Sequence, residues 1–176
     1  MAKNETKHKS KYTAPKDMAK SQKPETRKDL KDYIKDLVKK CMWEFSEEIM
    51  SQILNIDTRN RWAVVQPGVI NKKLQDMLKK ENFFWGPDPS SQDYSTVGGN
   101  IANNSAGPRA IKYGTPRDNI LGLEFVSGTG EIYKTGVRTS KGVVGLDLTR
   151  LFTGSEGVLG ILTEATLKIL PLNNSI

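Results

Sequence analysis

Hydrophobic positions along this chain change period as they go, and each period predicts a different element. Leu30, Tyr33, Ile34, Leu37, Val38 and Cys41 recur at helical spacing, with Thr26 and Asp29 resembling a capping box at the start. This predicts an amphipathic helix over 25–45. Its opposite face carries Lys28, Lys31, Lys35 and Lys39 interleaved with Asp32 and Asp36. The simplest reading of that stripe is a solvated face; a surface for nucleic acid or anionic membrane is the alternative. From Ile53 the pattern becomes strand, turn, strand. Ile53-Leu-Asn-Ile56 meets the polar turn Asp57-Thr-Arg-Asn60, and Trp62-Ala-Val-Val65 follows, ended by Pro67-Gly68. Asn71 is read as the cap of a short helix whose Leu74, Met77 and Leu78 point one way, before Phe83-Phe-Trp85 and the loop Gly86-Pro-Asp-Pro89. Leu121 to Val126 and Glu131 to Tyr133 flank Ser127-Gly-Thr-Gly130 as a second hairpin, and Thr163 to Leu170 reads as a last strand. Strands mixed with short helices indicate an α+β domain over 50–172.

Composition adds a division. The chain has 176 residues, 36% hydrophobic and 27% charged, with a formal net charge of +7. Residues 1–40 hold 13 Lys+Arg against 6 Asp+Glu, which leaves 14 of each for the rest, so the whole excess of positive charge belongs to the front. All 15 glycines lie at position 68 or beyond. Residues 1–24 have almost no aliphatic side chains to offset the entropy of ordering, and are read as a disordered basic tail. No apolar run approaches the roughly 20 residues of a membrane-spanning helix, and the start lacks the apolar stretch of a secretory signal, so a cytoplasmic protein is expected. One cysteine, Cys41, and one histidine, His8, exclude an internal disulfide, a histidine-based metal site and a Ser-His-Asp triad within this sequence. Cys41 reads most simply as an apolar residue of the helix face.

The most informative stretch runs from Gly86 to Gly107: small residues, hydroxyls and amides, with Gly98-Gly99 where a side chain would block a ligand, just before a potential helix start. Backbone N–H groups there are expected to be free to face a phosphate or a carbonyl-rich ring. Taken alone, a Gly-Gly pair more often marks only a turn.

The run Ser95-Thr-Val-Gly-Gly-Asn-Ile-Ala-Asn-Asn-Ser-Ala-Gly-Pro-Arg-Ala-Ile-Lys-Tyr-Gly114, then Arg117-Asp118, then Leu121-Gly-Leu-Glu-Phe-Val126, resembles the second lobe of the FAD-binding module of vanillyl-alcohol-oxidase-type (PCMH-type) flavoproteins, in the branch of glycolate oxidase, D-lactate dehydrogenase and D-2-hydroxyglutarate dehydrogenase. Asp147 to Pro171 is similar to the end of that module, and Trp62 to Gly68 to the strand before its central helix. The resemblance implies a mixed sheet with flanking helices. It also implies that Pro87, Asp88, Pro89, Ser90 and Ser95 line the flavin ring and ribityl chain, with Thr96, Val97, Gly98 and Gly99 near the pyrophosphate. Asn103, Asn104, Ser105 and Gly107 continue that wall, Tyr113 and Gly114 hold the following turn, and Glu156, Gly157, Gly160 and Ile161 approach from the other side through their backbone. No catalytic residue and no metal ligand is assigned.

The family begins with a first lobe carrying a Pro-Arg-Gly-x-Gly-Thr type loop, and nothing of that kind precedes Ile53; relatives also continue past the position of Pro171 into a substrate-binding cap. The resemblance therefore implies the FAD-binding portion of a flavin-dependent oxidoreductase acting on 2-hydroxy acids, inactive alone. One alternative is a split subunit completed by a partner polypeptide that supplies the missing lobe and cap. Another is a basic interaction module without flavin, although the tail lacks Phe and Trp for base stacking, which argues against nucleic acid.

Overall fold

The computed structural model describes residues 50–139 and 145–172. The basic tail, the predicted helix over 25–45 and Cys41 lie outside the described residues.

The first hairpin forms where the alternation placed it. Strands β1 (Ile53–Asp57) and β2 (Trp62–Val65) pair antiparallel. Asp57 sets the turn by accepting the Asn60 backbone N–H at 2.8 Å. Helix α1 (Asn71–Lys80) follows, then a short strand β3 (Phe83–Trp85), helix α2 (Val97–Ala102), helix α3 (Ala110–Tyr113) and a 3-10 turn at Pro116–Asp118. The second hairpin, β4 (Ile120–Val126) with β5 (Ile132–Gly136), leads through helix α4 (Leu148–Phe152) to the long strand β6 (Ile161–Pro171).

The strand order is β1-β2-β6-β4-β5, with β3 pairing the far end of β6. The expected α+β arrangement of a sheet with flanking helices is present, and every strand pairing among the described residues is antiparallel. β6 organises the domain because it touches three partners. Its Thr163, Ala165, Leu167 and Ile169 are buried, alternating with half-buried Glu164, Thr166 and Lys168, as a strand with one face on a core requires. That core joins Ala63, Val65, Leu123, Ala165, Leu167 and Ile169 of the sheet to Leu74 and Leu78 of α1, Val97 and Ile101 of α2, and Trp85. Each fully buried Leu, Ile or Val stabilises by about 1.5–3 kcal/mol.

Two details of α1 differ from the sequence reading. Met77 is exposed while Leu74 and Leu78 are buried, so the buried stripe is narrower than the apolar one. Asn71 is the first helical residue rather than the cap, which falls on Ile70 and has no side-chain cap bond. The reason is that the loop after Trp85 caps the helix instead: the Asn71 N–H donates to Ser95 O at 2.9 Å and the Lys72 N–H to Gln92 O at 3.0 Å.

The 3-10 turn is fixed by a capping box in which Asp118 accepts from the Thr115 N–H at 3.0 Å and its hydroxyl at 3.1 Å. These bonds hold the Asp118 carboxyl below its ordinary pKa, chiefly through the Thr115 backbone N–H. A depressed carboxyl pKa contributes stability that is fully present above the unfolded-state value and is lost as the pH falls through the folded-state value. Asp118→Asn is therefore expected to lower the unfolding free energy at neutral pH and to converge with the unsubstituted chain in strong acid. Urea denaturation of both proteins across that range measures the convergence.

Candidate functional site

The segment read as most informative is not a free loop. It is zipped along its length to the start of the domain. Gln75 of α1 donates from Nε2 to the carbonyls of Trp85 at 2.8 Å and Pro87 at 3.3 Å, and its Oε1 accepts the Trp85 N–H. Pro87 and Pro89 are buried, and Ser90 is exposed. Asp88 has both carboxylate oxygens engaged, Oδ1 by the Arg109 N–H at 3.0 Å and Oδ2 by Arg109 Nε at 3.1 Å, and its own N–H donates to Ala106 O. Gly107 seals this junction. Its φ is +89°, and an added Cβ would lie 2.1 Å from Asp88 O.

Thr96 caps α2, its Oγ1 accepting the Gly99 N–H at 3.1 Å. Gly98 and Gly99 thus sit inside the first turn of the helix rather than before it. The remaining donors of that turn are also taken: the Val97 N–H by Val69 O, the Gly98 N–H by Pro67 O and the Asn100 N–H by Thr96 O. The expectation of N–H groups free to cradle a phosphate at Gly98-Gly99 is corrected by these bonds. So is the expected reason for Gly98: an added Cβ would come within 2.5 Å of Pro67 Cβ, so this glycine makes room for the protein's own chain. Gly99 is different, because a Cβ there would meet only Thr96 Oγ1, at 3.2 Å.

The polar side chains beside this turn are the ones left open. Both amide atoms of Asn71, the Ser95 hydroxyl and Asn100 Nδ2 are buried without a hydrogen-bond partner. Buried polar groups are rarely orphaned, and such groups ask for a ligand or water. Of these residues, the sequence singled out only Ser95 as a binding position. Asn71 and Asn100 look like an ordinary cap and a helical amide, and only burial distinguishes them.

At the other end of α2 the two sequence-predicted halves of the wall meet. The Gly154 N–H donates to Ile101 O at 2.9 Å and the Glu156 N–H to Ala102 O at 3.0 Å. This brings the loop after α4 onto the end of α2 and beside Asn104, whose Cβ would lie 3.5 Å from a Cβ added at Gly154. Asn103 Nδ2 donates to Gly99 O, and Asn104, at φ 51°, accepts the Arg117 N–H on its Oδ1 at 3.1 Å. Glu156 and Gly157 both have positive φ. Gly160 and Ile161 lie further on, where β6 begins pairing with Val126 of β4. Tyr113 packs edge-on against Phe84 at 5.0 Å, and Gly114, at φ +80°, faces the Asp118 carboxylate. A separate polar hollow of about 240 Å³, with Glu124, Lys134, Arg138 and Glu164 in its lining, involves none of these residues.

The FAD binding domain family matches residues 45–136 of the sequence. This chain belongs to that family. Among curated relatives of this FAD-binding domain, glycolate oxidase subunit GlcD of Bacillus subtilis is 52% identical over 122 residues, which is 69% of this chain and 26% of the relative. D-lactate dehydrogenase of Anaerostipes hadrus is 42% identical over 127 residues, 72% of this chain and 26% of its own. D-2-hydroxyglutarate dehydrogenase of Stutzerimonas stutzeri is 36% identical over 124 residues, 70% of this chain and 27% of its own. A solved structure of alkyldihydroxyacetonephosphate synthase superposes with a TM-score of 0.63 at 32% identity, covering 74% of this chain and 23% of that one. The chain thus spans about a quarter of the length of the curated relatives it matches. FAD is the cofactor of the family, and no helix among the described residues is long and apolar enough to cross a membrane.

Proposed function

We propose that this chain holds FAD as one part of a flavin-dependent oxidoreductase acting on 2-hydroxy acids of the lactate, glycolate or 2-hydroxyglutarate type. The observation that carries the reading is the convergence of two separate segments, 95–107 and 153–161, through the Gly154 and Glu156 backbone bonds to the end of α2, in a domain of the FAD-binding family. The wall fits the cofactor's chemistry. It offers hydroxyls, amides and backbone, an open approach at Gly99, and orphaned polar atoms at Ser95 and Asn100 that need partners. Because the N–H groups of Val97, Gly98 and Gly99 are spent internally, and that of Glu156 on Ala102 O, the polar contacts on this side come from Ser95, Asn103, Asn104 and Ser105 and from backbone carbonyls around Glu156 and Gly157.

When bound, FAD supplies the ring that accepts electrons from the α-carbon of a hydroxy acid. The chain's own groups position and shield. Both carboxylate oxygens of Asp88 are engaged by Arg109, and the single histidine, His8, stands in the tail. The substrate-binding cap, the first lobe of the cofactor site and the base would then lie in polypeptide outside these 176 residues.

Titrating the purified chain into FAD and following flavin fluorescence tests this. Saturable quenching is expected, with no bleaching of the flavin on anaerobic addition of D-lactate, glycolate or D-2-hydroxyglutarate. Absence of quenching would remove FAD from the account, and bleaching would show that these 176 residues need no further polypeptide for chemistry.

A further inference from the structure

We propose that Arg117 is a positioning residue that locks the two halves of the cofactor wall together, an inference that rests on the FAD reading above. The loop after α4 is improbable on its own: Gly154, Glu156 and Gly157 all have positive φ, and Glu156 has no glycine's freedom there. Something must over-determine it. Two bonds run from the loop to α2, where the Gly154 and Glu156 N–H groups satisfy the terminal carbonyls of Ile101 and Ala102. Arg117 closes the arrangement from a third element. Its Nη2 donates to Thr153 O at 3.0 Å, at the C-terminal cap of α4, where a cation also suits the helix dipole. Its backbone N–H holds Asn104 Oδ1 at 3.1 Å, fixing the left-handed residue of the opposite wall. The guanidinium lies against Gly154, where an added Cβ would sit 3.1 Å from Nη2. One residue therefore contacts both segments that converge on the cofactor, and only its side chain reaches the second of them.

That division makes the idea testable, since a substitution removes the Thr153 bond and keeps the backbone bond to Asn104. Arg117→Ala is expected to weaken FAD affinity roughly ten-fold, by loss of a charge-assisted hydrogen bond, with Arg117→Lys intermediate. Hydrogen exchange at the Gly154 and Glu156 amides should accelerate in the alanine variant, while the Leu167 amide in the core stays as protected as before. Unchanged FAD affinity, with or without faster loop exchange, would overturn the positioning role. Faster exchange at Leu167 would do the same, by showing a general loosening. Failure of the FAD reading itself is distinguishable, because the unsubstituted chain would then give no quenching.

Discussion

Trp85→Ala is expected to lower the unfolding free energy by about 3–5 kcal/mol, the cost of emptying a large aromatic site in a close-packed core. Trp85 is fully buried at the point where β3 ends and the loop over Gly86 to Ser95 begins. Its indole N–H donates to Asn119 O at 3.2 Å, which ties β3 to the turn before β4. Asn119 O also accepts the Lys168 N–H, so the substitution leaves that carbonyl partnered and the penalty comes from packing. The Gln75 bonds around residues 85 and 87 depend on the strand staying in place, so FAD binding should weaken along with stability. A shift of the urea midpoint at unchanged slope measures the first effect.

Gly107→Ala carries the second large effect, for a different reason. The backbone at +89° is a conformation that an alanine adopts only under strain, and its methyl would be driven to 2.1 Å from Asp88 O and 2.4 Å from Asp88 C. Both colliding atoms are backbone, so no side-chain rotation relieves them. Either the Asp88 N–H bond to Ala106 or the Arg109 clamp on the Asp88 carboxylate has to give way. A loss on the order of 3 kcal/mol is expected from overpacking and left-handed strain together, with FAD affinity reduced beyond detection. Gly128→Ala is the control: it meets nothing within 4 Å and should leave both properties unchanged.

The fold was legible wherever a local rule acted alone. Alternation and an Asp-led turn mark the β1-β2 hairpin, and Ser127-Gly-Thr-Gly130 marks the β4-β5 hairpin. Residues 83–85 carry no alternation to announce a strand; pairing with the end of β6 makes them one. The site was legible as a stretch but not in its internal logic. A glycine pair reads the same whether it admits a ligand or a proline from the next loop, and here Gly98 admits Pro67 while Gly99 stays open. Asn71 reads as a cap because caps are local, whereas the groups that actually finish α1 come from further along the chain, at Gln92 and Ser95. Nothing local to Arg117 announces that the fold brings Asn104 and Thr153 beside it.

Residue-resolved NMR of the isotopically labelled chain during an FAD titration tests the central claim most directly. Amide shifts are expected to concentrate at 95–107 and 153–161, with the polar hollow around Glu124, Lys134 and Glu164 silent. Shifts centred on that hollow, or no shifts at all, would contradict the assignment of the cofactor wall.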